Sequence, residues 1–287
     1  MQAGREMDMT LETTPVAIAV APNGGRRTKA DHPEIPLTPA ELARTAAECL
    51  DAGAAMIHVH VRKADCSHLL DADAYGAAIS AIRRAVGDRL VIQITSEALG
   101  VYTPEEQRAV VRAVKPEAVS LALRELVPEA SEEAAFADLL HGLKRENVAP
   151  QIILYSPEEA VRLSEFQRRG LLPWDTIPVL YVLGRYTPGQ TSNPVDLLPF
   201  IAPGMPEFSH WSACAFGRHE ARCVLAAALL GGGMRIGFEN NLSMPDGTIA
   251  ASNADLIKAA AIPLAALALR PATAHELRTS MNRWLTP

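Results

Sequence analysis

Short β-branched or apolar runs alternate along the chain with longer segments in which apolar residues recur at helical spacing. The short runs predict strands at 15–21, 55–61, 89–95, 118–122, 149–155, 176–182, 207–213 and 234–239. The longer segments predict helices at 39–53, 72–86, 104–114, 131–146, 157–169, 194–201, 217–231 and 252–268. Thr38-Pro39 with Glu41, Thr103-Pro104 with Glu105 and Glu106, and Ser156-Pro157 with Glu158 and Glu159 each place a capping hydroxyl before a proline and a carboxylate behind it. Gly53 and Gly170 fall where helices should stop. Eight strand–helix pairs in about 250 residues fit a closed α/β barrel, the (β/α)8 or TIM barrel, better than an open doubly wound sheet. An open sheet should carry a glycine-rich phosphate turn after its first strand, and "APNGGRRTKAD" does not match GxGxxG. No linker rich in Pro, Gly or Ser divides the chain, so one barrel domain is expected over 15–287 after an N-terminal extension, 1–14. "LGRYTPGQTSN" at 183–193 reads as a long loop after the sixth strand, of the kind that builds barrel active sites.

With 287 residues, 48% of them hydrophobic, the chain can bury a large core. Its net charge of −6 and its scattered basic residues give no stripe for a phosphate backbone, so nucleic acid is not an expected partner. Cys49, Cys66, Cys214 and Cys223 lie far apart with no CxxC pair, which speaks for reduced thiols rather than a structural zinc or a disulfide framework. The N-terminus lacks the h-region of a signal peptide, and no window reaches about 18 uncharged apolar residues. A soluble, cytoplasmic protein with no membrane partner is the expectation.

"MIHVHVR" puts two histidines at alternate positions near the end of the second strand. Side chains two apart on a strand share a face, so His58 and His60 look into one space. In a barrel that space is the mouth, where strand C-termini carry the chemistry. The eighth strand lies one strand away across the first and ends in "RIGFENN", so Glu239 can converge on the two imidazoles. Two imidazoles and a carboxylate leave coordination positions open, as a catalytic metal site requires. Zinc is the first candidate, and iron, manganese or cobalt suit the same donors. An HxH pair also serves simple packing and backbone hydrogen bonding. The remaining histidines are less informative: His32, His68, His141, His219 and His275 fall in loops or on polar helix faces, and His210 falls in the seventh strand.

The blocks "TKADHPEIPLTPAEL", "DAGAAMIHVHVR", "LGGGMRIGFENN" and "SNADLI" resemble, in order, the signature blocks of the β-keto acid cleavage enzymes. The resemblance spans nearly the whole chain from about residue 15. It implies a TIM barrel, a homo-oligomer (dimer or tetramer), and zinc on His58, His60 and Glu239. It implies a reaction in which a β-keto acid and the co-substrate acetyl-CoA give acetoacetate and a new acyl-CoA by Claisen and retro-Claisen steps. A β-keto acid can chelate a Lewis acid through its ketone and carboxylate oxygens, and the enolate that follows needs a base and a cation close by.

Some positions depart from the family pattern. Arg235 matches the family's arginine, but the aspartate expected after the metal glutamate is Asn240, an amide that cannot accept a proton as a carboxylate does. An acid expected near the end of the fifth strand is replaced by Gln151 and Ile153. A "TTG" turn becomes Thr95-Ser96-Glu97, and a histidine common before the arginine becomes Gly233. Either Glu97, or hydroxide at the metal, replaces the missing base, or the barrel serves another reaction. The alternatives are a CoA-independent metal-dependent lyase, aldolase or hydrolase on a small carboxylate, and a non-catalytic ligand-binding relative. The expected site is then Arg235, Asn240 and Glu97 for catalysis, with Ser96, Ser120, Thr95 and Arg62 toward substrate. Ser96 and Ser120 read equally well as helix caps, and Arg62 as a surface charge neutralising Asp65. Arg26, Arg27 and Lys29 either gather a carboxylate or CoA phosphates at the mouth or are solvated loop charges.

Overall fold

The computed structural model describes residues 13–285. Among them, eight parallel strands close into a barrel: β1 (Ile18–Val20), β2 (Met56–Val59), β3 (Val91–Thr95), β4 (Ala118–Ala122), β5 (Ala149–Leu154), β6 (Val179–Leu183), β7 (Trp211–Ala215) and β8 (Gly233–Ile236). Their order around the barrel follows the chain, and β8 closes on β1 through Met234↔Ile18, Arg235↔Ala19 and Ile236↔Val20. The helices between and after the strands are α1 (Pro39–Asp51), α2 (Ala72–Val86), α3 (Pro104–Val114), α4 (Glu133–Arg145), α5 (Pro157–Arg168), α6 (Leu198–Ile201), α7 (Glu220–Leu229), α8 (Asn253–Ala261) and α9 (Ala274–Leu285), with one further helical turn, Leu123–Leu126, directly after β4. This is the expected single (β/α)8 barrel.

The punctuation works locally as read, with one exception. Thr38 and Thr103 form reciprocal capping boxes with Glu41 and Glu106. The Ser156 hydroxyl makes no cap bond, and Glu159 instead accepts from the backbone of Tyr155 at 2.6 Å. The expected first strand, 15–21, breaks at Ala17: Thr14–Val16 pairs outside the barrel with Leu269–Pro271. Thr14 therefore belongs to a strand, and residues 1–12 of the expected extension lie outside the described residues. β6 starts only after Pro178, which has no N–H for the ladder. The expected seventh strand, 207–213, lies downstream as Trp211–Ala215, in register with Val179–Leu183. The expected helix 252–268 divides, because Pro263 removes a helical donor and the chain continues as a 3-10 helix, Ile262–Leu267. α9 was not expected; it lies across the N-terminal end of the barrel, where Arg278 donates to the carbonyls of Asp88 (2.5 Å) and Leu90 (3.0 Å) and to Glu117 (2.6 Å).

Alternation along each strand sorts side chains into two cores. On β6, Val179, Tyr181 and Leu183 join the large layer between strands and helices, while Leu180 and Val182 join Ala122, Ile153, Cys214 and Phe216 inside the barrel. The outer layer carries most of the burial; an enclosed side chain such as Phe136 contributes about 2–3 kcal/mol. The lumen is thereby apolar on the side of β4 to β7. Around β2 to β5, strand register instead sets polar residues side by side, as in His58↔Gln93, Thr95↔Ser120 and Ser120↔Gln151.

Candidate active site

His58 lies near the end of β2 and His60 one residue beyond it, and both are buried. Their Nε2 atoms are 3.2 Å apart, and Glu239 Oε2 lies 3.6 Å from the first and 3.4 Å from the second. Donors held at about 2.0–2.2 Å in tetrahedral arrangement around one ion stand about 3.4 Å from each other, so this triangle has the size of a metal site. His58 Nδ1 donates to Gln93 Oε1 at 2.8 Å, which leaves the Nε2 lone pair facing the triangle. Gln93 is itself held, donating from Nε2 to Gln151 Oε1 at 3.2 Å. Asn23 fixes the backbone of His60, donating to its carbonyl at 2.9 Å. Burial, helped by the charge of Arg235, pushes His58 down to about 3, so the imidazole is neutral as a ligand must be. Glu239 Oε2 is buried without a hydrogen-bond partner among the described residues. An orphaned carboxylate oxygen facing two imidazole lone pairs is the donor set of a divalent cation.

Glu239 reaches this point through a turn rather than as a strand residue. β8 ends at Ile236, and Gly237 follows with φ +147°, where a Cβ would meet the carbonyl oxygen of Ala21 at 2.3 Å. Gly24 (φ +59°) passes equally close, because a Cβ there would lie 2.7 Å from Glu239 Cγ. Burial opposes ionisation of Glu239, but Arg235 and the two imidazoles outweigh it and hold the carboxyl well below its usual range. Arg235 Nη2 donates to Glu239 Oε1 at 3.0 Å and to Asn240 Oδ1 at 3.4 Å. Asn240 Nδ2 in turn donates to Glu220 Oε1 at 3.3 Å. Glu220, at the start of α7, also accepts from the backbone of Gly237 (3.1 Å) and from Asn241 (3.3 Å), and burial pushes it up to about 8. Arg235 and Glu239 line the mouth cavity, whereas Asn240 stands behind Arg235 and holds it.

Glu97 faces the triangle from the end of β3. Its Oε2 is 3.8 Å from His60 Nδ1, and its backbone N–H donates to Thr95 Oγ1 at 3.0 Å. Burial raises its pKa. Glu97 and Thr95 line the cavity; Ser96 and Ser120 do not. The Ser96 hydroxyl donates to the Ser120 carbonyl (3.1 Å) and that of Ser120 to Thr95 Oγ1 (3.4 Å), so both serine hydroxyls act within the barrel wall. Arg62 is placed differently from the substrate contact expected of it. Val61–Arg62 pairs antiparallel with His68–Leu69, which turns the guanidinium under the loop after β1. There it donates to the carbonyls of Gly24 (3.0 Å), Cys66 (2.7 Å), Asn23 (3.2 Å) and Arg27 (2.9 Å). Asp65 accepts from Ser67 instead. Lys29 pairs with Glu41 at 2.9 Å, while Arg26 and Arg27 line the cavity.

Sequence reasoning missed four contributors. His68, expected in an uninformative loop, lies 2.6 Å from the carbonyl of Glu97, with its ring 5.7 Å from that of His60. Gln93 and Glu220 come to the site through strand register and a buried helix N-terminus. Arg185 comes from the long loop after β6, which the sequence did mark as an active-site loop. Glu220 also carried a local signal, as an acid opening an otherwise Ala- and Leu-rich helix, whereas Gln93 and His68 carried none.

A family model described as β-keto acid cleavage enzyme matches residues 15–282. The chain is 28% identical to a 3-keto-5-aminohexanoate cleavage enzyme of Fusobacterium nucleatum, over 84% of this chain and 88% of that one. It is 24% identical to a 3-oxoadipate:acetyl-CoA acetyltransferase of Cupriavidus necator, over 85% and 87% of the two. Among solved structures, the apo form of ObcA superposes with a TM-score of 0.68 at 16% identity, covering 87% of this chain and 66% of that chain, just under two thirds of its length. That likeness is one of fold. No helix of the described residues is long and apolar enough to cross a membrane.

Proposed function

Because the chain belongs to the β-keto acid cleavage enzyme family, we propose that it converts a β-keto acid and acetyl-CoA to acetoacetate and a new acyl-CoA. The observation that carries this reading is the triangle of the buried His58 and His60 with the partly buried Glu239, and the Glu97 carboxylate facing it across one cavity. The names of the two relatives fit it: 3-keto-5-aminohexanoate and 3-oxoadipate share a keto acid head and differ in the tail.

His58, His60 and Glu239 would hold a divalent ion, zinc first by their donor types, and such an ion supplies Lewis acidity toward the keto acid head. Glu97 accepts a proton from C2 of the substrate, the role the absent aspartate leaves vacant; its raised pKa brings its basicity nearer neutrality. The C2 carbanion then bonds to the thioester carbonyl carbon of acetyl-CoA and expels the thiolate. The thiolate bonds to the original ketone carbon, the bond between C2 and C3 breaks, and Glu97 returns its proton to C2 of the departing acetoacetate. Thr95 orients Glu97 through its backbone N–H, and Asn240 holds Arg235 against Glu239. Ala122, Ile153, Val182 and Phe216 keep water from the other wall, which protects the thioester.

The test is metal analysis of the purified protein, followed by incubation with acetyl-CoA and a panel of β-keto acids while acetoacetate is assayed. Acetoacetate release that needs acetyl-CoA and drops roughly 10²–10⁴-fold in kcat in Glu97→Gln is the expected result. Loss of the keto acid without acetyl-CoA would instead make the protein a lyase or hydrolase.

A further inference from the structure

Opposite the histidines the cavity has an apolar floor of Ala122, Ile153, Val182 and Phe216, none of which carries charge. At its rim stands Arg185, only 15% exposed, with its guanidinium 5.0 Å from the Phe216 ring centroid. Its nearest anion is Glu97 Oε1 at 4.0 Å, beyond hydrogen-bond length, and the guanidinium makes no hydrogen bond to a described residue. Arg26 and Arg27 enter the same cavity from the loop after β1. The lining thus carries Arg26, Arg27, Arg185 and Arg235 against the carboxylates of Glu97 and Glu239, and Arg235 is already matched by Glu239 at 3.0 Å.

We infer that the β-keto acid carries a second carboxylate at the end of a short apolar tail, and that Arg185 receives it; the inference rests on the cleavage reading of this site. A head group held at the histidines sends its tail across the apolar floor, and that path ends at Arg185. A neutral tail would cover a guanidinium without giving it an acceptor, which is unfavourable for a desolvated charge. An ammonium tail would meet the like charges of Arg26, Arg27 and Arg185, and the carboxylate beside them, Glu97, already faces both Arg185 and His60. A carboxylate forms charge-assisted, bidentate bonds with the guanidinium fork.

The test uses three 3-oxo acids of equal chain length that end in carboxylate, methyl or ammonium. Binding is measured by calorimetry without acetyl-CoA, and kcat/KM by acetoacetate release with it, for the native protein, Arg185→Lys and Arg185→Leu. The expected result is a preference of tenfold or more for the dicarboxylate, reduced in Arg185→Lys and close to unity in Arg185→Leu. A preference for the methyl or ammonium acid overturns the inference, as does a rise in KM for acetyl-CoA in Arg185→Leu with the acid preference intact, which would assign the arginine to the thioester. If the dicarboxylate binds best in an Arg185-dependent way yet none of the acids is cleaved, the tail assignment stands and the cleavage reading falls; cleavage without charge preference gives the reverse.

Discussion

Replacing Asn240 by the aspartate usual in the family should destabilise the barrel, and should do so more as pH rises. Asn240 Nδ2 donates to Glu220 Oε1 at 3.3 Å, and Glu220 is only 1% exposed. In Asn240→Asp the donor becomes a second carboxylate oxygen at that distance. Two like charges about 4 Å apart repel by about 4 kcal/mol at the effective dielectric of such sites. Arg235, 3.4 Å from Asn240 Oδ1, offsets part of this. The variant lowers the repulsion by keeping one proton in the pair, so the pKa of Glu220, already pushed up to about 8 by burial, rises further.

The sign follows from proton counting. Above about pH 5 the unfolded chain has both carboxylates ionised, while the native variant retains a proton, so native stability falls as pH rises. Below about pH 7 burial already keeps Glu220 protonated in the native protein, and the variant loses only a hydrogen bond, about 1 kcal/mol. At pH 9, one unit above the native Glu220 value of about 8, keeping that proton costs about 1.4 kcal/mol more, so the loss should reach about 2–3 kcal/mol. Urea unfolding at pH 6 and pH 9 measures both. Glu220→Gln combined with Asn240→Asp should bring stability at pH 9 back to within about 1 kcal/mol of the native protein, because the paired charge is gone. Equal losses at the two pH values, or no rescue by Glu220→Gln, would refute the coupling. Any gain in cleavage from restoring the aspartate should then appear in the double variant and not in Asn240→Asp alone.

His58→Ala and Glu239→Gln should each reduce bound metal from stoichiometric to near zero while circular dichroism shows a folded barrel; metal that survives either change would put the site elsewhere. Gln93→Leu removes the acceptor that orients His58 and should weaken metal affinity about 10–100-fold in chelator competition, and an unchanged affinity would deny Gln93 that role. Arg62→Lys leaves several buried carbonyls without donors and should lower stability by about 3 kcal/mol in thermal unfolding, with a smaller direct effect on substrate KM. A large KM effect with native stability would return Arg62 to the substrate.

What could be read from the chain is what one element dictates by its own period. Two-residue alternation on β2 put His58 on the face that His60 shares, and threonine, proline and glutamate at helix starts marked α1 and α3 where they begin. Glu239 was reached by extending the eighth strand to its last residue, yet it arrives through a glycine turn whose φ of +147° brings the chain under Ala21. Arg62 shows the converse error. Continued alternation after His60 points it to the mouth, but the pairing of Val61 with Leu69 redirects the strand, and no local pattern announces that pairing. Gln93 lies beside His58 because β2 and β3 pair in that register, and Glu220 lies beside Asn240 because α7 starts beneath the turn after β8. Gln93 supplies the partner that sets an imidazole tautomer, and Glu220 supplies a buried carboxyl next to Asn240. An aspartate at 240 would thus face a buried carboxyl from a neighbouring element, and that is why the double variant, and not the single one, is the informative test.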